Sequence, residues 1–312
     1  MLAIICPGQG SQSSGFLSPW LEDDSARETL QEWSEVAETD LVLHGTQSDE
    51  DTIRDTALAQ PLIVAASLLS ARALGLTPGH TPEAVDTDQL LFAGHSVGEV
   101  PAAALAGVLS AEQALRLIRV RAQGMAQAAA AEATSMAAVL GGVEDQVRES
   151  IEAHGLTAAN ANGPGQIVAA GTADRIAALE AEPPARARVI PLKVAGAFHT
   201  QHMAPAQETL AAAVADFSVQ DPMARLLSNR DGQAVASGGE ILDRLVEQVT
   251  RPVQWDLCME SMKAAGVTGV LELLPGGTLT GLAKRGLKGV AALAVKSPDD
   301  LDAARTFVAD HA

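Results

Sequence analysis

The sequence predicts an α/β protein, a large domain on a mostly parallel sheet interrupted by a small inserted domain of βαββαβ order. Two observations predict the large domain. Residues 2–6 and 89–93 are short, continuous apolar runs, each stopped by a glycine-containing turn, as strands buried on both faces read. Ala-rich stretches with apolar residues at helical spacing alternate with such runs, which is the pattern of a parallel sheet with crossover helices. A third observation sets off the insertion: between about 133 and 192 the strand and helix signals follow the order of a split βαβ unit.

Taken in chain order, strand 2–6 runs into Pro7-Gly8, and strand 89–93 runs directly into Gly94-His95-Ser96. A helix is predicted over 97–109 and another over 111–131, the latter after Ser110, an N-cap with Gln113 at the third helical position. Pro101 falls early enough in the first of these to loosen a hydrogen bond without breaking the helix. In the insertion, strand 136–140, helix 144–154, strands 156–160 and 166–170, helix 172–182 and strand 188–194 follow one another. The two central strands are joined through Asn162-Gly163-Pro164-Gly165. This order is ferredoxin-like, so the expected domains are 1–132 with 193–312, and 133–192. The return segment predicts a helix near 204–215, a strand at 225–228, a helix over 239–249 and a helix starting near Pro252. Strands at 270–274 and 289–295 complete the pattern.

Composition narrows the classes of function. The 312 residues are 47% hydrophobic but hold only 5 Phe, 3 Trp and no Tyr, so the core rests on Ala, Val, Leu and Ile. A formal charge of −18 excludes a phosphate-backbone binder and repels anionic membranes. Cys6 and Cys258 fit neither a disulfide framework nor a metal pair and read as buried thiols. No signal peptide and no bilayer-length apolar run is read, so a cytoplasmic protein is expected.

Gly94-His95-Ser96-Val97-Gly98 is the G-x-S-x-G motif. Between a strand and a helix it forms a nucleophile elbow, in which glycines allow a tight turn and the helix N-terminus favours a developing anion. The N–H of Val97 is then available to a tetrahedral oxyanion. Pro7-Gly8-Gln9-Gly10-Ser11-Gln12 fails as a dinucleotide fingerprint, because Ser13 stands where the third glycine belongs, and it has no Gly-Lys-Ser/Thr. At the end of its strand it can still aim a backbone N–H into the same crevice, which makes Gln9 the natural second donor.

Seven histidines can supply a base, of which His95 lies in the motif and His199 and His202 lie in Gly196-Ala197-Phe198-His199-Thr200-Gln201-His202. His199 is the better base; a metal on His199 and His202 lacks a third patterned ligand, so no metal is expected. On the helix after Ser110, Arg116, Arg119, Gln123 and Gln127 share a polar face, whereas Arg121 points among Leu117, Ile118 and Met125. A guanidinium there needs an anion. Either a buried Asp or Glu pairs with it, or it clamps a substrate carboxylate.

These residues resemble the malonyl-CoA:acyl-carrier-protein transacylases of type II fatty-acid synthesis and the related acyltransferase domains of polyketide synthases. The matching segments are Pro7-Gly8-Gln9-Gly10-Ser11-Gln12, Ala59-Gln60-Pro61, Gly94-His95-Ser96-Val97-Gly98-Glu99 and Arg121. They continue through Asn160-x-Asn162-Gly163-Pro164-x-Gln166, Ala197-Phe198-His199, Pro252-Val253-Gln254-Trp255 and Leu273-x-Pro275-Gly276, in family order along nearly the whole chain. Val97 and Pro101 depart from the usual pattern.

The resemblance implies a hydrolase-like α/β domain with a ferredoxin-like insertion. It implies Ser96 as nucleophile and His199 as base, a dyad without a carboxylate. Gln254 is then the position whose backbone carbonyl orients the histidine, and Gln9 and Val97 donate to the oxyanion. Arg121 pairs with the malonyl carboxylate, Phe198 leaves no room for a 2-methyl group, and His95 supports the turn. Malonyl-CoA and the phosphopantetheine-bearing (holo) acyl carrier protein are substrates, no cofactor stays bound, and a monomer is expected.

The implied reaction is ping-pong transfer through a malonyl-Ser96 ester. A serine hydrolase would need a triad carboxylate in the expected order, which is not patterned, and a non-catalytic docking scaffold would form no adduct. A malonate-decarboxylase subunit shares the fold and dyad. Because the carrier proteins of this family are acidic, docking on a chain of charge −18 needs a local basic patch. Lys284, Arg285 and Lys288 are the densest cationic cluster, with Lys193 as a helper; a solvated helix face reads equally well.

Overall fold

The chain enters through β1 (Leu2–Cys6), all five residues of which are buried. The computed structural model describes residues 1–80, 85–194 and 196–312. Four helices follow: α1 (Asp24–Ala37), α2 (Leu41–Thr46), α3 (Glu50–Arg54) and α4 (Thr56–Leu74). Each starts on an aspartate, since Asp23, Asp40, Asp49 and Asp55 accept a backbone N–H of the first turn that has no intrahelical partner. Helix α4 has 19 residues, 15 of them buried, and packs against the later helix Ala111–Ala131.

Next come β2 (Leu90–Gly94), a 3-10 turn at Ser96–Gly98, α5 (Glu99–Leu105) and α6 (Ala111–Ala131). The single helix expected over 97–109 is thus a turn plus a shorter α-helix. Pro101 is the third residue of α5, where a missing N–H costs no intrahelical bond. A reciprocal capping box between Ser110 and Gln113 starts α6.

A second sheet is built from β3 (Thr134–Gly141), α7 (Glu144–Ala153), β4 (Thr157–Ala161), β5 (Gln166–Thr172), α8 (Ala173–Ala181) and β6 (Ala187–Pro191). The chain then forms α9 (Ala204–Val214), β7 (Arg225–Leu226), α10 (Gly238–Glu247), β8 (Val253–Gln254) and α11 (Trp255–Ala264). It ends with β9 (Gly269–Glu272), α12 (Thr278–Gly286), β10 (Ala291–Ala294) and α13 (Leu301–His311). The helix expected from Pro252 begins instead at Trp255. The intervening Val253 and Gln254 are extended and pair in parallel with Asn160 and Ala161 of β4.

The first sheet has the order β10-β9-β1-β2-β7, and every pairing in it is parallel. Both faces are covered, as parallel sheets require. From β1, Leu2, Ile4 and Cys6 join the core under α4, α5 and α6, while Ala3 and Ile5 join a second cluster with Trp255, Met259 and Leu282. Cys6 lies in register with Gly94, so the loops leaving β1 and β2 emerge side by side at the carboxyl edge.

The second sheet runs β6-β3-β5-β4-β8, antiparallel except for the last pair. One face, with Ala137, Val139, Ile167 and Ala169, packs with Val147 and Ile151 of α7 and Ile176 and Leu179 of α8. From the other face Met136 and Val168 line a cleft over the first sheet's carboxyl edge. The fold therefore sets a wall of small strands opposite the turn that carries Ser96.

Candidate active site

Ser96 follows β2 with φ at +54°, a left-handed conformation that costs an L-residue about 1–2 kcal/mol. The flanking glycines permit it: a Cβ on Gly94 would collide with the backbone of Gly98, and one on Gly98 with the carbonyl of Cys6. His199 also has a positive φ, +61°, and is 3% exposed. Two adjoining side chains held in this region mark a place where the surrounding structure over-determines the backbone.

The Nε2 of His199 lies 2.7 Å from Ser96 Oγ, and Nδ1 lies 2.8 Å from the carbonyl oxygen of Gln248. A carbonyl only accepts, so Nδ1 carries the proton and Nε2 accepts from the serine hydroxyl. Burial and the neighbouring Arg121 charge push the His199 pKa down to about 3, against the pull of the Gln248 carbonyl, so the imidazole is neutral at ordinary pH.

Gln254 does not meet this histidine, and the expectation for its carbonyl is corrected. Gln248 is the C-cap of α10, where carbonyls are left over from the helix, and it is this carbonyl that faces His199. Gln254 lies in β8, and its N–H donates to the carbonyl of Asn229 at 2.8 Å.

Arg121 is 1% exposed. Nη1 donates to Gln60 Oε1 at 2.7 Å, Nη2 donates to Gln248 Oε1 at 2.8 Å, and Nη2 lies 3.4 Å from Ser96 Oγ. Its Nε has no partner. Among the described residues no carboxylate comes within ion-pair distance of it. Burial lowers its pKa to about 10, which leaves it a cation. Glu99, also buried, is pushed up to about 8 by desolvation, against the pull of the Asn229 N–H, Gln248 and Arg121. Its carboxyl takes the Asn229 N–H at 2.5 Å and the amide of Gln248.

The N–H groups of Gln9 and Val97 have no hydrogen-bond acceptor among the described residues. The Gln9 side chain instead ties its loop to Thr56 Oγ1 at 3.2 Å. His95 is turned away from Ser96 Oγ. Its Nε2 meets Asn162 Oδ1 at 2.8 Å, joining the turn to the second sheet, and burial lowers its pKa.

Of these residues Gln9, Gln60, His95, Ser96 and His199 line a cleft of about 540 Å³, and Arg121 lies behind Ser96 and Gln60. Phe198, Met125, Met136 and Val168 give it an apolar flank near Ser96, and Arg54, Lys193 and Arg285 line it as cations. Arg285 donates to Gln166 Oε1 at 2.9 Å. Lys284 and Lys288 are exposed on and just after α12 and do not line the cleft. His202 turns to Glu132 at 2.7 Å and does not converge with His199.

Four residues at the site had no role assigned from sequence: Gln60, Glu99, Asn229 and Gln248. Gln60 carried a signal, being an amide within an otherwise apolar helix; the other three come from segments remote in sequence or from the turn itself. The arrangement offers a hydroxyl with a neutral base on it, two N–H groups on the adjoining turns with no acceptor among the described residues, and a cation 3.4 Å from the hydroxyl with no carboxylate partner among them. That set suits attack on an acyl group that carries an anion of its own.

A family model described as an acyl transferase domain matches residues 3–308. The malonyl CoA-acyl carrier protein transacylase of Mycobacterium tuberculosis (strain ATCC 25618 / H37Rv) is 49% identical over 302 residues, which is 97% of this chain and 98% of that protein. The protein of the same name from Escherichia coli (strain K12) is 32% identical over 309 residues, 97% and 98% of the two chains. The crystal structure of MCAT from Mycobacterium tuberculosis superposes with a TM-score of 0.91 at 49% identity, covering 97% of this chain and 99% of that one. A malonyl-transacylase in complex with its type II PKS acyl-carrier protein superposes with a TM-score of 0.87 at 30% identity, covering 98% and 99%.

Proposed function

We infer the route of the reaction from one premise: this chain belongs to the acyl transferase family, among the malonyl-CoA:acyl-carrier-protein transacylases. It is an acyltransferase that moves malonyl groups from CoA to acyl carrier protein in fatty-acid synthesis. The proposed route is ping-pong. Ser96 Oγ attacks the thioester carbonyl as His199 Nε2 takes its proton, and the N–H groups of Gln9 and Val97 hold the oxyanion. The C–S bond breaks, CoA leaves with the proton from His199, and malonyl-Ser96 remains.

In the second half, His199 takes the proton of the phosphopantetheine thiol and the sulfur attacks the ester. The Ser96 oxygen then leaves with that proton. Arg121 pairs with the free malonyl carboxylate throughout, and Phe198 limits bulk at the 2-carbon. The observation that carries this reading is the position of Ser96 Oγ, 2.7 Å from His199 Nε2 and 3.4 Å from Arg121 Nη2.

Positive φ at Ser96, between β2 and α5, supports reading the turn as a nucleophile elbow. The strand order β6-β3-β5-β4 supports reading 133–192 as a ferredoxin-like insertion in a large domain of 1–132 and 193–312. For carrier docking, Arg285 and Lys193 beside the cleft support the basic side of the entrance, with Lys284 and Lys288 extending it.

The test is mass spectrometry after incubation with malonyl-CoA. A malonyl adduct on Ser96 that persists in buffer and disappears on adding holo acyl carrier protein is expected. No adduct would remove the nucleophile, and clearance without acceptor would make the protein a hydrolase.

A further inference from the structure

Asn229 is wholly buried in the turn after β7, and each of its polar groups is engaged. Its Oδ1 accepts the N–H of Ser96 at 2.7 Å and its Nδ2 donates to the carbonyl of Gly94 at 2.8 Å. Since one partner is a donor and the other an acceptor, the orientation of the amide is fixed. The other hydrogen of Nδ2 faces Cys258 Sγ at 3.7 Å. On the main chain, the N–H goes to Glu99 at 2.5 Å, and the carbonyl accepts from Gln254 at 2.8 Å. One amide therefore spans the backbone on both sides of His95, across the bend that gives Ser96 its positive φ.

We propose that Asn229 is a positioning residue for the transfer reaction, holding the Ser96 peptide in its left-handed turn and occupying the Ser96 N–H. With that N–H occupied, the oxyanion is left to Val97 and Gln9, whose N–H groups have no acceptor among the described residues. Only a side chain with an acceptor and a donor at this spacing does both. The proposal rests on the reading of Ser96 as the nucleophile.

The experiment measures the rate of Ser96 malonylation by malonyl-CoA in wild type, Asn229→Ala and Asn229→Asp, with folding followed by circular dichroism. Asn229→Ala is expected to lose about 100-fold in the acylation rate constant with KM for malonyl-CoA little changed, as for a reacting group displaced by roughly 1 Å. Asn229→Asp has the same shape. Protonated, it keeps both bonds; ionised, it turns an anion on the Gly94 carbonyl.

Its rate is therefore expected to approach wild type at acid pH and to fall as pH rises. The titratable or charged groups around it are Glu99 from α5, Cys258 and Asp256 from α11, Arg230 and Asp231 in its own turn, and Arg121 and His199 beyond Ser96. All are present in wild type, so a falling limb unique to the Asp variant belongs to the new carboxyl. An alanine variant that acylates within about tenfold of wild type, or an aspartate variant whose pH profile parallels wild type, overturns the proposal. If Asn229→Ala fails to fold, the aspartate profile decides alone. A wild type without a Ser96 adduct would instead defeat the nucleophile reading, whatever the variants do.

Discussion

Arg121 Nη2 stands 3.4 Å from Ser96 Oγ, and among the described residues no carboxylate pairs with that guanidinium. Gln60 and Gln248 hold it by neutral amide oxygens, which orient the charge without cancelling it. A buried cation left in this state gains most from a ligand anion.

Arg121→Ala is expected to lower kcat/KM for malonyl-CoA by about 100-fold or more while kcat/KM for acetyl-CoA changes little or rises. Parallel assays with the two thioesters check this. Unchanged malonyl preference would remove Arg121 from recognition.

The pH dependence follows from His199, whose pKa is pushed down to about 3 by burial and by Arg121. The base acts when neutral, and a lowered pKa keeps it neutral as pH falls. Acylation should therefore hold its rate well below the ordinary histidine range and decline only toward about pH 3. Arg121→Gln removes the cation but not the burial, so the acid limb should move to higher pH. The profile of kcat/KM for acetyl-CoA in both proteins measures it, because that parameter reports the free enzyme. An acid limb at the same pH in both would show that Arg121 does not act on the base.

Gln248 and Gln254 separate cleanly. Gln248→Ala keeps the backbone carbonyl on His199 but loses the side-chain bonds to Arg121, the Ser96 carbonyl and Glu99. A loss of about tenfold in malonyl kcat/KM, larger than the loss with acetyl-CoA, is expected. Gln254→Ala keeps its N–H on Asn229 and should stay within about threefold of wild type. Steady-state kinetics of the two variants decide the matter; a larger effect at Gln254 would reverse the assignment.

Charge reversal at Lys284 and Arg285 should lower kcat/KM for holo acyl carrier protein about tenfold at low ionic strength, with less effect as salt is added. Ser96 malonylation from malonyl-CoA, followed separately, should fall less. Intact carrier kinetics would place docking elsewhere.

Much of this site is legible in the residues because its parts are local. An apolar run ending in Gly-x-Ser-x-Gly specifies a strand, a bend and an exposed hydroxyl together, and Arg121 betrays itself by standing among Leu117, Ile118 and Met125. The succession of strands and helices over 134–191 is legible for the same reason, since turn residues separate the strands there, but β8, the remaining strand of that sheet, is not. The carbonyl that meets His199 is not, because it depends on how the chain bends after α10, which no local pattern records. Helix α4 is not legible from periodicity: it is covered on nearly all sides, so its apolar residues make no stripe. The aspartate caps of α1 to α4 were the available signal there.

The pairing of β8 with β4 bears on recombination between relatives. A chimaera that exchanges residues 133–192 would leave one strand of the second sheet behind in the recipient, so the donor's β4 would have to match a foreign Val253 and Gln254. Because the N–H of Gln254 holds the Asn229 carbonyl, a mismatch at that seam reaches Ser96 through Asn229 alone. Transplants meant to change acyl preference should carry 252–254 with the insert. Such a transplant needs crossovers in the connections on either side of that strand as well as at 133 and 192.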